Sequence, residues 1–501
     1  MRKKVLALVT MMLCATMLSA CGGNGEKTKE ITKVDDLEGS KIGVQLGTTG
    51  DIYASDYEGD DAGTIIERYN KCTDAVQALR QGKIDCVIVD EQPAIESTKD
   101  EKNLKILDEE FALEEYAICI SKDNEELLEK VNGALDELEK EGTIEQIKAN
   151  YIGDDTKGTC PYVTPEGTTY ENGTLVVATN VAFKPYEYYE NGEPVGIDME
   201  IIRAIGDKLG MEIKIEDMEF DSIINAVKSG KADVGIAGMT MTDERLKSIN
   251  FSEPYTTATQ VIIVNTGDAM GKDISFTDNV KRNFIDDNRW EYIVKGLRNT
   301  LIIALCACLC GLIIGFLIAI VRCTHDKTGN LSILNAICKL YLSIIRGTPI
   351  MIQLLIIYYV VFQSVNINKV VVAIIAFGIN SGAYVAEIMR SGIMSIDNGQ
   401  MEAGRSLGLN YRQTMIHIIL PQAVKNVLPA LCNEFISLLK ETSICGYIGL
   451  IDLTRGGDII RSITYEAFLP LIAVAIIYLI LVQLLTIAVG RMEKGLRKNE
   501  Q

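Results

Sequence analysis

The sequence predicts a two-lobed α/β domain followed by an all-α membrane domain of about five spans, and three observations carry that prediction. Asp and Glu outnumber Lys and Arg by 68 to 49, for a formal net charge of −19. Most of those carboxylates fall between residues 26 and 290, and the remainder of the chain is apolar with basic ends. A helix, a Gly-Lys turn and an apolar strand occur twice, in DAVQALRQGKIDCVIV at 74–89 and DSIINAVKSGKADVGIAG at 221–238; such an echo marks two units of related build. Uncharged stretches at 301–321 and 468–489 are long enough to cross a hydrocarbon core of about 30 Å.

A length of 501 residues fits roughly three structural units. The acidic balance argues against nucleic acid or anionic lipid as the main partner of the soluble part. Residues 1–21 read as an export signal: Arg2, Lys3 and Lys4, an apolar run from Val5, then small residues. LSAC at 18–21 resembles a bacterial lipobox, which implies lipidation of Cys21; an uncleaved anchor remains the alternative, and either places Gly22 onward outside the cytoplasm. Of 13 Cys, Cys72, Cys86, Cys119 and Cys160 lie in the exported part without CxxC spacing, so neither a zinc site nor a defined disulfide can be assigned. The two His residues, His325 and His417, both fall in segments expected in the cytoplasm. That excludes a Ser/His/Asp triad or a His-bound metal centre in the exported domain, and no cofactor is expected.

KIGVQL at 41–46 and TLVVAT at 174–179 are continuous apolar runs, the pattern of parallel strands covered on both faces. In such sheets ligands bind beyond the carboxyl ends of strands, near helix N-termini.

ATNVAFKPYEYYENGEPVGIDMEIIRAIGDKLG (178–210) and IAGMTMTDERLKSINFSEPY (236–255) resemble the first half of extracytoplasmic amino-acid-binding proteins of the type II, periplasmic-binding-protein-like clamshell. VDDLEGSKIGVQLGTTGD (34–51), KIDCVIVDEQPA (83–94) and LEKVNGALDELEKEGTIEQIKANYIG (128–153) resemble the second half. The halves stand in reverse order, joined through the turn-rich segment 154–173, as in a circular permutation, which is tolerated where the original termini lie close together. The clamshell is expected over 31–265, with lobes at 31–115 and 120–265. If the break comes after the strand ending near Asn265, the N-terminal anchor and the connector both leave from the first lobe, and the second lobe would do the moving.

A free amino acid presents a carboxylate, an ammonium and a side chain. The resemblance implies that Arg245 takes the carboxylate through its guanidinium fork, with Thr240 and the backbone N–H of Thr49 completing that pocket. It implies Asp90 for the ammonium, assisted by the carbonyls of Ala237 and Gly238, and Phe183 and Phe220 to sandwich the side chain. Taken singly, Arg245 reads equally as a surface helix residue, Asp90 as a helix cap and the phenylalanines as core. Asn180 stands where cation-binding relatives carry a carboxylate, which disfavours Lys or Arg as ligand.

Residues 266–291 form a polar linker to a membrane domain at 292–492. Further spans are expected at about 348–363, 370–390 and 424–441. Basic residues Arg322, Lys327, Lys339, Arg346, Arg405, Arg412, Arg491, Lys494, Arg497 and Lys498 place the intervening loops and the C-terminus inside by the positive-inside rule. GLRNTLIIA (296–304), IIRGTPIMIQLL (344–355), NSGAYVAEIMRSGI (380–393) and LPQAVKNVLPALCNEFISLLKETSI (420–444) resemble polar-amino-acid ABC permeases over nearly the whole membrane half. GQMEAGRSLGLN at 399–410 resembles their EAA coupling loop, which implies that Glu402, Ala403 and Gly408 meet a cytoplasmic ATPase. Glu387 and Arg390, spaced i and i+3 within a span, fit either a structural ion pair or a translocation role.

No GxxxxGK[ST] occurs in the sequence, so ATP hydrolysis by a P-loop is excluded for this chain. The resemblance implies an ABC importer subunit of the bacterial cell membrane, not an enzyme, that works with separate ATPase subunits as a permease homodimer. A ligand-gated channel and a clamshell-type sensor are the alternatives. The first would interrupt a lobe with its spans; the second would need a cytoplasmic signalling domain.

Overall fold

The computed structural model describes residues 29–58, 63–99, 101, 103–153, 155–267, 275–363, 365, 367–464 and 466–498. The export signal with Cys21, and residues 268–274 of the linker, lie outside them. The chain divides into two compact units, one of residues 1–114 with 258–273, the other of 115–257 with 274–501.

In the first unit the sheet runs Ile65–Tyr69, Lys41–Gln45, Cys86–Asp90, Thr256–Asn265, Leu104–Ile106. The first three strands are parallel, and Thr256–Asn265 runs antiparallel to Cys86–Asp90 and to Leu104–Ile106 and pairs also with Ala112–Tyr116. Ile42, Val44, Cys86 and Ile88 pack in one apolar core. Burying an Ile or Val is worth about 1.5–3 kcal/mol, which is why these runs carry no alternation. The strand Thr256–Asn265, expected in the second lobe, pairs with Cys86–Asp90 and from Ala258 onward belongs to the first.

The second unit begins with a sheet in the order Glu212–Asp217, Thr174–Thr179, Val234–Gly235, Cys119–Ile120, Asn250–Phe251. The repeated motif takes the same form in both lobes: helix Cys72–Arg80 leads to strand Cys86–Asp90, and helix Ile223–Lys228 to Val234–Gly235. Gly82 and Gly230 close the two helices at φ +66 and +71, where a side chain would be strained. Cys72 and Cys119 are buried free thiols, and desolvation pushes each up to about 12.

In the same unit, four helices among the described residues are long and apolar enough to cross a membrane: Trp290–Asp326, Lys369–Met394, Tyr411–Ile448 and Phe468–Gly495. The span expected at 348–363 is different. Ser332–Gly347 and Ile350–Val361 meet at 107°, and together they supply the fifth crossing or a re-entrant turn. Pro349 stands at the break and has no N–H to continue a helix. The side-chain amide of Gln353 donates to the carbonyls of Ile345 and Thr348 at 2.8 and 3.0 Å, satisfying backbone that lipid cannot.

Lys369–Met394 is the most buried of these four spans. Its Gly378 and Gly382 lie against Trp290–Thr328, whose Gly311 and Gly315 lie against it in return. A Cβ on any of the four would come within 2.5–2.9 Å of the facing residue. Small residues four apart on both helices allow this approach.

Candidate functional site

In the second lobe the short helix Asp243–Leu246 is capped by Thr242, whose side chain accepts the Arg245 N–H at 3.3 Å. Arg245 is only 7% exposed. Its guanidinium donates to the Thr240 carbonyl at 2.6 Å and lies 5.5 Å from the centre of the Phe220 ring. Arg245 is thus a buried residue of this short helix and not a surface one.

The turn at Ala237–Gly238 joins the same cluster. Gly238 has φ +52, and a Cβ there would stand 3.1 Å from Phe183 and 3.2 Å from Tyr116. Its N–H donates to the Asp198 carboxylate at 2.8 Å, which also accepts the Tyr255 hydroxyl at 3.0 Å. Burial pushes the Asp198 carboxyl up to about 6, against the opposing pull of those two hydrogen bonds and of one with Glu187. Phe183 stacks on Tyr186 with ring centres 5.8 Å apart, and Tyr116 meets Tyr186 edge-on at 5.2 Å. Six expected residues, Phe183, Phe220, Ala237, Gly238, Thr240 and Arg245, thus belong to one lobe.

Thr49 and Asp90 belong to the first lobe. Asp90 ends strand Cys86–Asp90 and holds the N-cap position of helix Glu91–Thr98, yet its side chain makes no capping hydrogen bond. Opposite it in register is Gln260, buried, whose amide donates to Glu114 at 3.2 Å and to the Thr49 hydroxyl at 3.5 Å. Thr49 opens helix Thr49–Ser55. Asn180 donates its amide to the Met218 carbonyl at 2.7 Å, so that side chain is engaged with backbone.

Residues 399–410 form helix Asn398–Ser406 and the turn after it. Asp397 caps it by accepting the Gly399 N–H at 2.6 Å. Gly408 ends it at φ +87. Gly404 faces inward, where a Cβ would collide with Thr414, whereas Glu402, Ala403 and Leu407 are exposed. The helix is therefore largely solvent-exposed around its one inward glycine, with Glu402, Ala403 and, just past its end, Leu407 on the surface.

Glu387 joins Arg390 at 2.6 Å and Arg322 at 3.1 Å. Arg346 and Tyr384 line a cavity with Glu387, Ser391 and Asn426.

Sequence reasoning passed over Asp198, Tyr116 and Gln260. Asp198 had a visible signal, a carboxylate in the apolar helix start VGIDMEII; Tyr116 and Gln260 had none. It also passed over Arg455, which is 3% exposed and pairs at 2.8 Å with both Asp217 and Glu219.

The family described as bacterial extracellular solute-binding proteins, family 3, matches residues 175–447. A putative glutamine transport system permease protein of Rickettsia typhi is 39% identical over 210 residues, 42% of this chain and 94% of that protein. The arginine transport system permease protein ArtQ of Bacillus subtilis is 38% identical over 211 residues, again 42% of this chain and 94% of that protein. A solved structure of an amino acid ABC transporter with histidines is similar at 38% identity over 44% of this chain and 99% of that one, with a TM-score of 0.40.

Proposed function

The chain belongs to the bacterial extracellular solute-binding proteins of family 3 and, over its other part, to the amino-acid ABC transporter permeases, and from that premise we propose how it works. It captures a free amino acid outside the cytoplasm and passes it through its own membrane helices, driven by a separate ATPase. The observation that carries this reading is Arg245: a guanidinium buried beside Thr240 and Phe220, in the same polypeptide as the permease helices. Arg245, with Thr240 and the Thr49 N–H, takes the ligand carboxylate. Asp90 takes its ammonium with the Ala237 and Gly238 carbonyls, and Phe183 and Phe220 hold its side chain.

The exposed face of helix Asn398–Ser406 is the ATPase contact, with Glu402 and Ala403 on it and Gly408 fixing its end. Two copies pair through the permease half. The binding domain and Cys21 lie outside and the C-terminus inside. Covalent fusion keeps the receptor at an effective concentration of the millimolar order near its permease. Glutamine and arginine are named for the relatives; for this chain a polar amino acid is the substrate class.

The test is uptake into vesicles holding the full chain and its ATPase. Uptake that requires ATP and stops on replacing Glu402 and Gly408 supports the reading. ATP-independent current would replace it with a ligand-gated channel.

A further inference from the structure

The second lobe and the membrane helices make one compact unit, and they meet through ion pairs and a shared apolar cluster. Strand Glu212–Asp217 is the edge of the second sheet, and it leads directly into Glu219 and Phe220. Glu216 pairs with Lys369 at 2.6 Å, and Asp217 and Glu219 pair with Arg455 at 2.8 Å. Lys369 opens the span Lys369–Met394, and Arg455 stands in the first turn of helix Leu453–Thr464.

Lys231 adds a third cation, in the opposite direction. It donates to the carbonyls of Phe362 and Val365 and lies 4.7 Å from the centre of the Tyr358 ring. Beside these charges is a shared apolar core. Val181 and Tyr189 of the lobe are buried with Tyr292, Ile293, Leu453 and Ile460 of the membrane half.

We propose that the lobe of residues 115–257 is permanently docked on the permease in cis, and that Arg455 is the residue that positions it. The docked stretch 216–220 is the one that carries Phe220 over Arg245, so the half of the receptor holding the carboxylate-binding group does not leave the permease between cycles. This revises the expectation that the second lobe does the moving. Fusion supports the proposal: at an effective concentration of the millimolar order, an interface with its own apolar core and three cation contacts stays occupied whether or not ligand is present. The inference rests on the transport reading only for its consequence.

The test places the photo-cross-linker p-benzoylphenylalanine at Gln363, which lines a cavity of about 170 Å³ with Lys214, Glu216 and Lys231, in the full chain in lipid nanodiscs. Irradiation is expected to join Gln363→p-benzoylphenylalanine to a peptide within residues 214–231. The yield should be the same with and without a mixture of the standard amino acids. Arg455→Gln should lower the yield by at least about fivefold, because truncating one side of a buried charge pair weakens docking strongly. Arg455→Lys should keep part of it. If Arg455→Gln does not fold, Lys369→Gln, with its partly exposed pair, is expected to lower the yield in the same direction. No cross-link, a cross-link formed only with amino acids present, or a yield indifferent to both substitutions would overturn the proposal. The readout involves neither transport nor nucleotide, so its failure leaves the transport reading standing.

Discussion

The carboxylate of Asp198 and the backbone N–H of Gly238 are joined at 2.8 Å across 40 residues of sequence. Gly238 is in the left-handed region, where its N–H turns toward the helix Ile197–Leu209 and its Cα leaves room for the Phe183 and Tyr116 rings. One buried carboxylate therefore holds the turn on which two candidate ligand contacts depend.

Asp198 makes stability depend on pH. Burial raises its value from 3.8 to about 6, so the folded chain keeps a proton that the unfolded chain has lost. The stabilisation from that proton is fully present below about 3.8 and is lost as pH rises through about 6, a change of about 3 kcal/mol. Asp198→Asn keeps an acceptor for Gly238 and should flatten the fall in melting temperature between those pH values. An unchanged pH profile in the variant would show that another group sets it.

Arg245→Ala should weaken amino-acid binding by about 100-fold, since charge-assisted hydrogen bonds contribute about 1.5–3 kcal/mol. Arg245→Lys should recover little, because a point charge does not reproduce the guanidinium fork. Calorimetry on the purified full chain against the standard amino acids checks both. Full affinity in Arg245→Ala would move the carboxylate pocket elsewhere.

Substitutions on helix Asn398–Ser406, the proposed ATPase contact, should separate binding from transport. Ala403→Trp adds bulk on an exposed face and should abolish co-purification of the ATPase while amino-acid binding is unchanged. Gly408→Val, at φ +87, should strain the turn by about 1–2 kcal/mol and reduce uptake. Retained ATPase capture by Ala403→Trp would place the contact on another surface.

Arg455 gives a stability signature of its own. Arg455→Met alone leaves the buried Asp217 and the half-buried Glu219 without their cation and should cost about 3–5 kcal/mol. The triple variant Arg455→Met, Asp217→Asn, Glu219→Gln should regain most of that loss, because no uncompensated charge remains. Thermal unfolding of the solubilised chain distinguishes the two; equal melting temperatures for single and triple variants would mean that the charges do not matter there.

Local pattern was enough for the twin helix–turn–strand units, for the long apolar spans and for the end of helix Asn398–Ser406 at Gly408. Each is set by periodicity or backbone chemistry within a few residues. The motif around Arg245 was legible too, but its burial was not, because the Phe220 ring and the Thr240 carbonyl meet its guanidinium only on folding. The break at Pro349 was visible as a proline; the 107° angle was not, nor were the hydrogen bonds from the Gln353 amide to the Ile345 and Thr348 carbonyls that accompany it.

Amphipathic spacing and apolar length alone settled that this chain has two α/β lobes and a helical membrane half, because those signals are short in range. Which strand completes which sheet, which lobe is seated on the permease, and that Arg455 meets Asp217 from 238 positions away were settled by folding. Such pairings bring together charges and edges with no neighbourhood in sequence, and their energy arises when water is removed from both at once.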